Sequence, residues 1–174
     1  IPESEPQISD EYSVQSAIGQ GTNNFTVSQL NRYVAAVANR GTVYKLTLLD
    51  KTTDVNGKVI KEYEPEVTNT IDDISDDTWN LLHQGMIAMV QDMSQFNGME
   101  ISMAGKTGTA QQSEIHPDHV LFVGFAPAEN PEIAVAVRIA NGYSSAYTAE
   151  IGRDIVKSYY KISDSDKLVT GKAA

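Results

Sequence analysis

One short segment of the sequence carries residue types that can do chemistry: residues 104–110, which read AGKTGTA. Lys106 supplies a positive charge that can pair with a carboxylate, and Thr107 and Thr109 supply hydroxyl donors for the same group. Gly108 has no side chain, so an extended ligand can lie close to the backbone there. On the edge strand of a sheet, the backbone of this segment can also pair with an extended peptide. These residue types suit the binding of an extended ligand that carries a carboxylate, but a bare Lys-Thr-Gly also recurs by chance in ordinary strands, so its context must decide.

The string Gly105-Lys106-Thr107 also resembles the end of a phosphate-binding loop. That motif requires a glycine five positions before Gly105, and the residue there is Glu100. It also requires a helix that begins at the lysine and threonine, whereas strand-forming residues here lead into a polar loop. Both requirements fail, so a nucleotide phosphate site of this type is excluded.

Two groups of polar residues suggest metal ligands but have the wrong spacing. Residues 116–119 (HPDH) place a proline between two histidines with no third or fourth ligand in evidence, so we predict loop histidines at the start of a strand. The aspartates within residues 72–77 lack calcium-loop spacing, and the electrostatics of a helix start explain half of them. We therefore predict no metal site and no cofactor.

The composition limits the classes of partner and the cellular setting. The 174 residues include 23 acidic and 13 basic side chains, a net charge of −10, which argues against nucleic-acid binding and against docking onto anionic lipid. There is no cysteine, which removes disulfides and thiolate chemistry. No apolar run approaches the roughly 20 residues that span a bilayer, and the N-terminus is not a signal peptide. We expect a processed or trimmed piece whose membrane anchor lies outside it.

The first half of the chain predicts two helices and a hairpin that would support the segment. Thr26 and Gln29 have the spacing of a capping box, and Gly41 stands where a left-handed residue ends a helix. Residues 43–53 and 58–63, joined through Asn56-Gly57, predict one exposed β-hairpin. A linker then leads to a second helix with Ser75 as its N-cap. Its predicted core-facing stripe comprises Trp79, Leu82, Met86, Met89, Val90 and Met93, with His83 at the surface or boundary.

The second half predicts three strands and a final helix. The strands are expected at 101–110, 119–126 and 132–140, and the helix at about 146–160, after a loop with a serine cap. The residues predicted on the buried side of that helix are Thr148, Ile151, Ile155 and Tyr159, with Gly152 permitting close approach. Strands grouped beside helices, without alternation, indicate an α+β fold with an antiparallel sheet.

Five landmarks in order resemble class B penicillin-binding proteins, which are D,D-transpeptidases, over almost the whole chain. They are residues 18–21 (IGQG), the helix from Thr26 that ends in residues 37–41 (VANRG), residues 104–111 (AGKTGTAQ), residues 122–127 (FVGFAP) and the strand at 133–137. The resemblance implies the fold of the penicillin-binding and serine β-lactamase-like domain. It also implies that Lys106, Thr107, Gly108 and Thr109 bind the substrate carboxylate and the acyl group, with the Thr109 amide as an oxyanion donor.

The same resemblance implies that the catalytic nucleophile is missing. Family members acylate a serine in Ser-x-x-Lys and carry a Ser-x-Asn motif, both before the Lys-Thr-Gly strand. No Ser-x-Asn occurs here, and the one Ser-x-x-Lys, at Ser158 and Lys161, follows that strand with two tyrosines between, so we interpret it as a coincidence. We predict a single partial domain (1–174), the C-terminal half of a transpeptidase domain, with a lead-in at 1–17 and a flexible tail at 162–174. Alone it should be inactive.

The resemblance also implies partners and a location for the intact protein. Peptidoglycan stem peptides and β-lactams would bind it on the extracytoplasmic face of a bacterial membrane. The missing N-terminal half would leave an exposed strand edge or apolar face, so we expect self-association or stabilisation by a complementing segment. Two alternatives stay open: a non-catalytic cell-wall scaffold with the same fold, and a serine β-lactamase relative. The Asn56-Gly57 hairpin and residues 19–21 favour the transpeptidases over the latter.

Overall fold

The computed structural model describes residues 25–111 and 115–162. The predicted lead-in at 1–17, the landmark at 18–21 and the tail from residue 163 onward lie outside the described residues. The elements, in chain order, are α1 (Val27–Ala38), β1 (Thr42–Tyr44), β2 (Lys51–Thr53), β3 (Val59–Glu62), β4 (Val67–Thr70), α2 (Asp76–Asp92), a 3-10 helix (Ser94–Phe96), β5 (Ala104–Ala110), β6 (His119–Ala126), β7 (Ile133–Ile139) and α3 (Ser145–Tyr159).

The central sheet contains β5, β6 and β7 in that order, and both pairings are antiparallel. Its strands match the three predicted from the sequence to within a few residues. Strand β6 lies in the middle and is covered on both faces, which explains its nearly continuous apolar sequence. Phe122 and Phe125, on opposite faces of β6, are both fully buried.

Helices cover both faces of this sheet. On one face α1 and α2 pack over Phe125, with Val34 and Trp79 in the same core cluster. On the other face α3 and the 3-10 helix pack over Phe122, with Phe96 and Val156 beside it. The predicted α+β class, with antiparallel strands packed against helices, is confirmed.

The predicted boundaries of α1 are confirmed by its hydrogen bonds. The amide of Gln29 donates to Oγ1 of Thr26 (3.2 Å), and the amide of Thr26 donates to Oε1 of Gln29 (2.8 Å), which completes the capping box. At the other end, Gly41 has φ of +102° and donates its amide to the carbonyl of Ala36 (2.8 Å). Gly41 is therefore the left-handed residue that the sequence predicts.

The single hairpin predicted over residues 43–63 is wrong in its pairing. Strand β1 pairs with β4, Thr42 opposite Thr70, so a segment interpreted as linker forms a strand. Arg32 of α1 explains this pairing, because Nε donates to the carbonyl of Tyr44 (2.7 Å) and Nη2 donates to Oγ1 of Thr68 (2.6 Å). One guanidinium thus holds β1 and β4 together, a long-range contact that local sequence patterns do not reveal.

A shorter hairpin of β2 and β3 remains around Asn56-Gly57. Gly57 has φ of +83°, and the Asp54 carboxylate accepts hydrogen bonds from the amides of Asn56 and Lys58 (2.9 Å each). The predicted turn at Asn56-Gly57 is therefore confirmed. The hairpin packs mainly against itself and makes no extensive contact with another described helix or strand. All four residues of β3 are exposed.

Helix α2 begins at the predicted N-cap, since Oγ of Ser75 accepts the amide of Thr78 (3.3 Å). Two expectations for its faces are wrong: Leu82 is exposed, and His83 is buried. The Nε2 of His83 lies 2.8 Å from the carbonyl of Val37, and its ring packs against Phe125 with centroids 5.0 Å apart. The His83 side chain of α2 therefore links three elements: its nitrogen pairs with a carbonyl at the end of α1, and its ring packs against β6.

Replacing His83 with leucine is expected to lower the free energy of unfolding by about 1–2 kcal/mol. Leucine keeps an apolar side chain against Phe125 but removes the hydrogen bond to Val37. Urea unfolding followed by fluorescence measures the effect, because Trp79 is the only tryptophan and is buried. Gln84→Leu, at the neighbouring exposed position, is the matched control and should stay within about 0.5 kcal/mol of the parent. Equal urea midpoints for His83→Leu and the parent would contradict the role of this hydrogen bond.

Helix α3 is rotated relative to the prediction. Ser144 caps it as expected, its Oγ accepting the amide of Ala146 (3.3 Å), and Thr148 is buried. However, the exposed side chains on one flank include three that were predicted as buried. This flank, which we call the apolar flank, comprises Tyr147, Ile151, Ile155 and Tyr159. The face against the sheet is instead formed by Thr148, Ala149, Gly152 and Val156, because small residues let the helix approach Phe122.

Candidate functional site

Strand β5 carries the four predicted substrate-binding residues at an edge of the described sheet. It pairs with β6 alone among the described strands, with Lys106 opposite Val123, Gly108 opposite Leu121 and Thr109 opposite Val120. In an antiparallel strand, alternate residues direct their amide and carbonyl groups to opposite sides. Within the described part of the chain, one side of β5 therefore presents unpaired backbone groups along the Lys106–Thr109 segment.

The side chains of this segment divide between the two faces of the strand. Lys106 and Gly108 share the face covered by α1 and α2, whereas Thr107 and Thr109 share the face covered by α3. Lys106 and Thr109 are exposed, and Thr107 is half-buried. The cation and the two hydroxyls therefore lie on opposite faces of the strand, and all three are at least partly accessible to solvent.

The charge of Lys106 is not paired with a carboxylate among the described residues. Its Nζ donates instead to the carbonyl of Thr107, 2.9 Å away. A backbone carbonyl carries only a partial charge, so an incoming carboxylate offers Lys106 a stronger partner. The strand therefore presents a cation that is held in place but free to bind an anionic group.

The entry to β5 is anchored to the turn between β6 and β7. The hydroxyl of Ser102 donates to the Glu129 carboxylate and accepts the amide of Ala128 (3.0 Å). The Ser102 hydrogen bond, followed by one from the backbone amide of Glu129, holds the pKa of the Glu129 carboxyl below its ordinary value. These contacts fix where the strand begins, at Ala104, two residues after Ser102.

The remaining candidate residues are the histidine pair before and at the start of β6 and the Ser-x-x-Lys sequence at the end of α3. His119 is the first residue of β6, as predicted, and its Nδ1 accepts the amide of Asn141 (3.1 Å). Within 25–111 and 115–162, no group of three metal-ligating side chains converges. Ser158 is exposed near the end of α3, and Lys161 follows the helix with φ of +55°. Ser158 and Lys161 therefore do not share the continuous helical turn that a Ser-x-x-Lys nucleophile motif uses.

The sequence did not predict how Phe122 packs against the Lys106–Thr109 segment of β5. Phe122 of β6 lies opposite Thr107 of β5 and is fully buried against glycines from β5 and α3. The glycines can be read from the sequence, but the sequence does not show that they share Phe122 as a neighbour. The only available signal was Gly152, which was expected to permit close approach of the final helix.

A comparison with known protein families decides the assignment. The family described as penicillin-binding protein transpeptidase domain matches residues 1–157. This chain belongs to that family. The match covers most of the chain and includes the Lys106–Thr109 strand.

Individual transpeptidase-family relatives agree with this assignment. Penicillin-binding protein 2B of Streptococcus pneumoniae is 32% identical over 179 aligned residues, covering 88% of this chain and 25% of that protein. Peptidoglycan D,D-transpeptidase MrdA of Acinetobacter baumannii is 31% identical, covering 82% of this chain and 23% of that protein. The chain therefore spans about a quarter of the length of these relatives.

Solved transpeptidase-family structures show the same fold. The structure of penicillin-binding protein 2B from Streptococcus pneumoniae superposes with a TM-score of 0.78 at 28% identity, covering 97% of this chain and 29% of that one. An imipenem acyl-enzyme complex of penicillin-binding protein A from Mycobacterium tuberculosis superposes with a TM-score of 0.74 at 26% identity, covering 84% and 33%. Among the described residues of this chain, no helix has the length and hydropathy needed to cross a membrane.

Proposed function

We propose that this chain supplies the substrate-binding strand of a class B peptidoglycan D,D-transpeptidase. The observation that carries the proposal is the unpaired edge of β5, where Lys106 lies exposed without a carboxylate partner among the described residues. An extended peptide can add to this edge through main-chain hydrogen bonds. Lys106, Thr107 and Thr109 then bind its terminal carboxylate, and Gly108 lets its backbone approach.

The chemistry at this edge is stabilisation of a developing negative charge. A serine of the complete domain, outside this chain, gives up its proton and attacks the carbonyl of the penultimate residue of the stem peptide, and the carbonyl oxygen becomes an oxyanion. The amide of Thr109 donates one hydrogen bond to that oxyanion. Collapse of the intermediate breaks the amide C–N bond, and the terminal residue leaves as an amine that takes up the proton given up by the serine. The resulting acyl-serine is then attacked by the amine of a second stem peptide, which forms the new amide, loses a proton and releases the serine. β-Lactams enter the same sequence because they carry a strained amide carbonyl and a separate carboxylate in positions similar to those of the peptide.

The chain is proposed to be the C-terminal half of one transpeptidase domain. Two described features favour association with more of that domain: the outer edge of β7, which pairs with no further described strand, and the apolar flank of α3. On that helix Arg153 lies opposite the flank and donates to the carbonyl of Gln95 (2.8 Å), so the flank turns away from the 3-10 helix. Exposed edges and apolar surfaces of this kind favour a complementing segment or, without one, self-association.

The intact transpeptidase is proposed to act at the extracytoplasmic face of a bacterial membrane, to which a segment outside this chain anchors it. Peptidoglycan stem peptides are cross-linked there. The family assignment and the cell-wall enzymes among the relatives support this location.

Incubation with a fluorescent penicillin, followed by intact-mass spectrometry, tests whether the nucleophile lies outside this chain. The isolated chain is expected to gain no mass, because positioning groups without a nucleophile cannot form the covalent intermediate. The full-length protein is expected to gain one penicillin. A stoichiometric adduct on the isolated chain would contradict the proposal and direct attention to Ser158, for which Ser158→Ala is the deciding variant. A full-length protein that never reacts would favour a non-catalytic scaffold.

A further inference from the structure

The ring of Phe122 lies between three glycines from three different elements, an arrangement that we call the glycine slot. An ideal Cβ at Gly105 of β5 would lie 2.6 Å from Cζ of the ring. One at Gly152 of α3 would lie 2.5 Å from Cδ1, and one at Gly124 of β6 would lie 3.0 Å from Cζ. Carbon atoms do not pack as closely as at Gly105 and Gly152, so with the ring in place those two positions accommodate only glycine. At Gly124 the carbonyl oxygen of Ala104, 2.7 Å from the ideal Cβ, is the closer obstacle, and the ring adds to it.

The ring in the glycine slot has little room to move. Phe122 is fully buried, and the ring of Phe96 packs on it with centroids 5.6 Å apart. On β5, the ring contacts the backbone at Gly105, and Phe122 lies directly opposite Thr107. The ring therefore supports the strand on both sides of Lys106, while its other edge rests on α3.

We infer that Phe122 in the glycine slot is a positioning residue, which sets the place of the Lys106–Thr109 edge relative to α3. This inference rests on the proposed function, because it assigns the ring a role in aligning that edge with substrate. It adds a mechanical connection: the ring transmits a shift of α3 to the substrate strand, although α3 contributes no group to the substrate edge.

The size of the expected effect follows from the contact distances. An added Cβ at Gly105 or Gly152 must move apart from the ring by nearly 1 Å to reach ordinary contact. Part of that movement reaches the strand, and a displacement of about 1 Å near a reacting group can cost about 100-fold in rate. Gly105→Ala is therefore expected to slow acylation about tenfold, and Gly152→Ala about threefold to tenfold.

Acylation of the full-length protein by a fluorescent penicillin measures these effects. Rates are determined across penicillin concentrations, so that the limiting rate and the half-saturating concentration are separated, and are normalised to the titrated active fraction. The loss is expected mainly in the limiting rate, because the Thr109 amide moves relative to the oxyanion. Gly85→Ala is the matched control: Gly85 lies on α2 with nothing within 4 Å of its ideal Cβ, and its rate should equal that of the parent.

A double-mutant cycle separates positioning from general damage. With Phe122 present, alanine at Gly105 or Gly152 is expected to slow acylation as above. In a Phe122→Leu background Cζ and both Cε atoms of the ring are gone, so Gly105→Ala, whose closest contacts are with Cζ and Cε2, should cost less than about threefold. Equal rates for the parent and both folded alanine variants would overturn the inference, as would a Gly105→Ala effect that is unchanged in the Phe122→Leu background.

The experiment also distinguishes this inference from the proposed function. A full-length parent that is not acylated overturns both, whereas normal acylation that is insensitive to the glycine slot overturns the inference alone. If the single alanine variants do not fold, Phe122→Leu decides the question by itself, since it only removes atoms. Its limiting rate is then expected to fall about threefold or more, and a rate equal to that of the parent would overturn the inference.

Discussion

Replacing Lys106 with methionine is expected to lower the acylation rate of the full-length protein by penicillin about 100-fold. Methionine keeps much of the length and apolar stem of lysine but removes the ammonium group. A hydrogen bond to a charged group contributes about 1.5–3 kcal/mol, and the upper part of that range corresponds to a factor of about 100. Because Lys106 is exposed and lacks an ion-pair partner among the described residues, the loss falls on ligand binding and acylation rather than on folding.

Stopped-flow or gel-based kinetics with a fluorescent penicillin give the rate, and thermal melting checks the fold. Lys58→Met is the matched control, because Lys58 is an exposed lysine at the tip of the β2–β3 hairpin. This variant should change neither the acylation rate nor the melting temperature. Lys106→Arg keeps the charge in a planar group of different shape, so partial activity is expected. If the Lys106→Met protein reacts as fast as the parent, Lys106 does not contribute to the proposed site.

Replacing Gly41 with alanine is expected to lower the free energy of unfolding by about 3 kcal/mol or more. Gly41 has φ of +102°, a conformation that an L side chain adopts at a cost of about 1–2 kcal/mol. In addition, an ideal Cβ there would lie 2.6 Å from the carbonyl oxygen of Ile71 and 3.3 Å from Cζ2 of Trp79. Both neighbours belong to the packed junction between α1, β4 and α2, so relief of the contacts disturbs the core.

Three glycines allow the backbone and packing contributions to be separated. Gly57 also has positive φ, +83°, but its ideal Cβ meets nothing within 4 Å, so Gly57→Ala should cost only about 1 kcal/mol. Gly85 lies in the middle of a helix with open space around it, so Gly85→Ala should stabilise by about 0.5–1 kcal/mol. Urea unfolding followed by Trp79 fluorescence ranks the three variants. Equal costs at Gly41 and Gly57 would show that packing around Gly41 contributes nothing.

Local patterns predicted the elements that carry the site. The capping box at Thr26, the N-cap at Ser75 and the strand predicted at 132–140 each depend on residues close in sequence, and the structure confirms all three. The strand predicted at 101–110 forms over Ala104–Ala110. Its proposed substrate-binding role remains a prediction, because a strand pattern specifies the backbone of the strand but not the ligand that pairs with its edge.

The errors arose where a distant residue decides the outcome. His83 is buried because the carbonyl of Val37, 46 positions earlier in the sequence, accepts its hydrogen bond. Strand β4 forms because Arg32 holds it beside β1. Ile151 and Ile155 point away from the sheet because Gly152, one position along the helix, lets α3 approach Phe122. Hydrophobic periodicity alone cannot choose between an apolar residue and a neighbouring glycine as the contact face.

The self-contained packing of the β2–β3 hairpin has a practical consequence. Because the hairpin shares little surface with the rest of the molecule, its opening is a local event with a free energy well below that of global unfolding. Its amides should exchange hydrogen for deuterium earlier than those of β6, and its tip at Gly57 has open space around it. This tip therefore offers a position for an affinity tag or a fluorophore that reports on the molecule without disturbing the substrate strand.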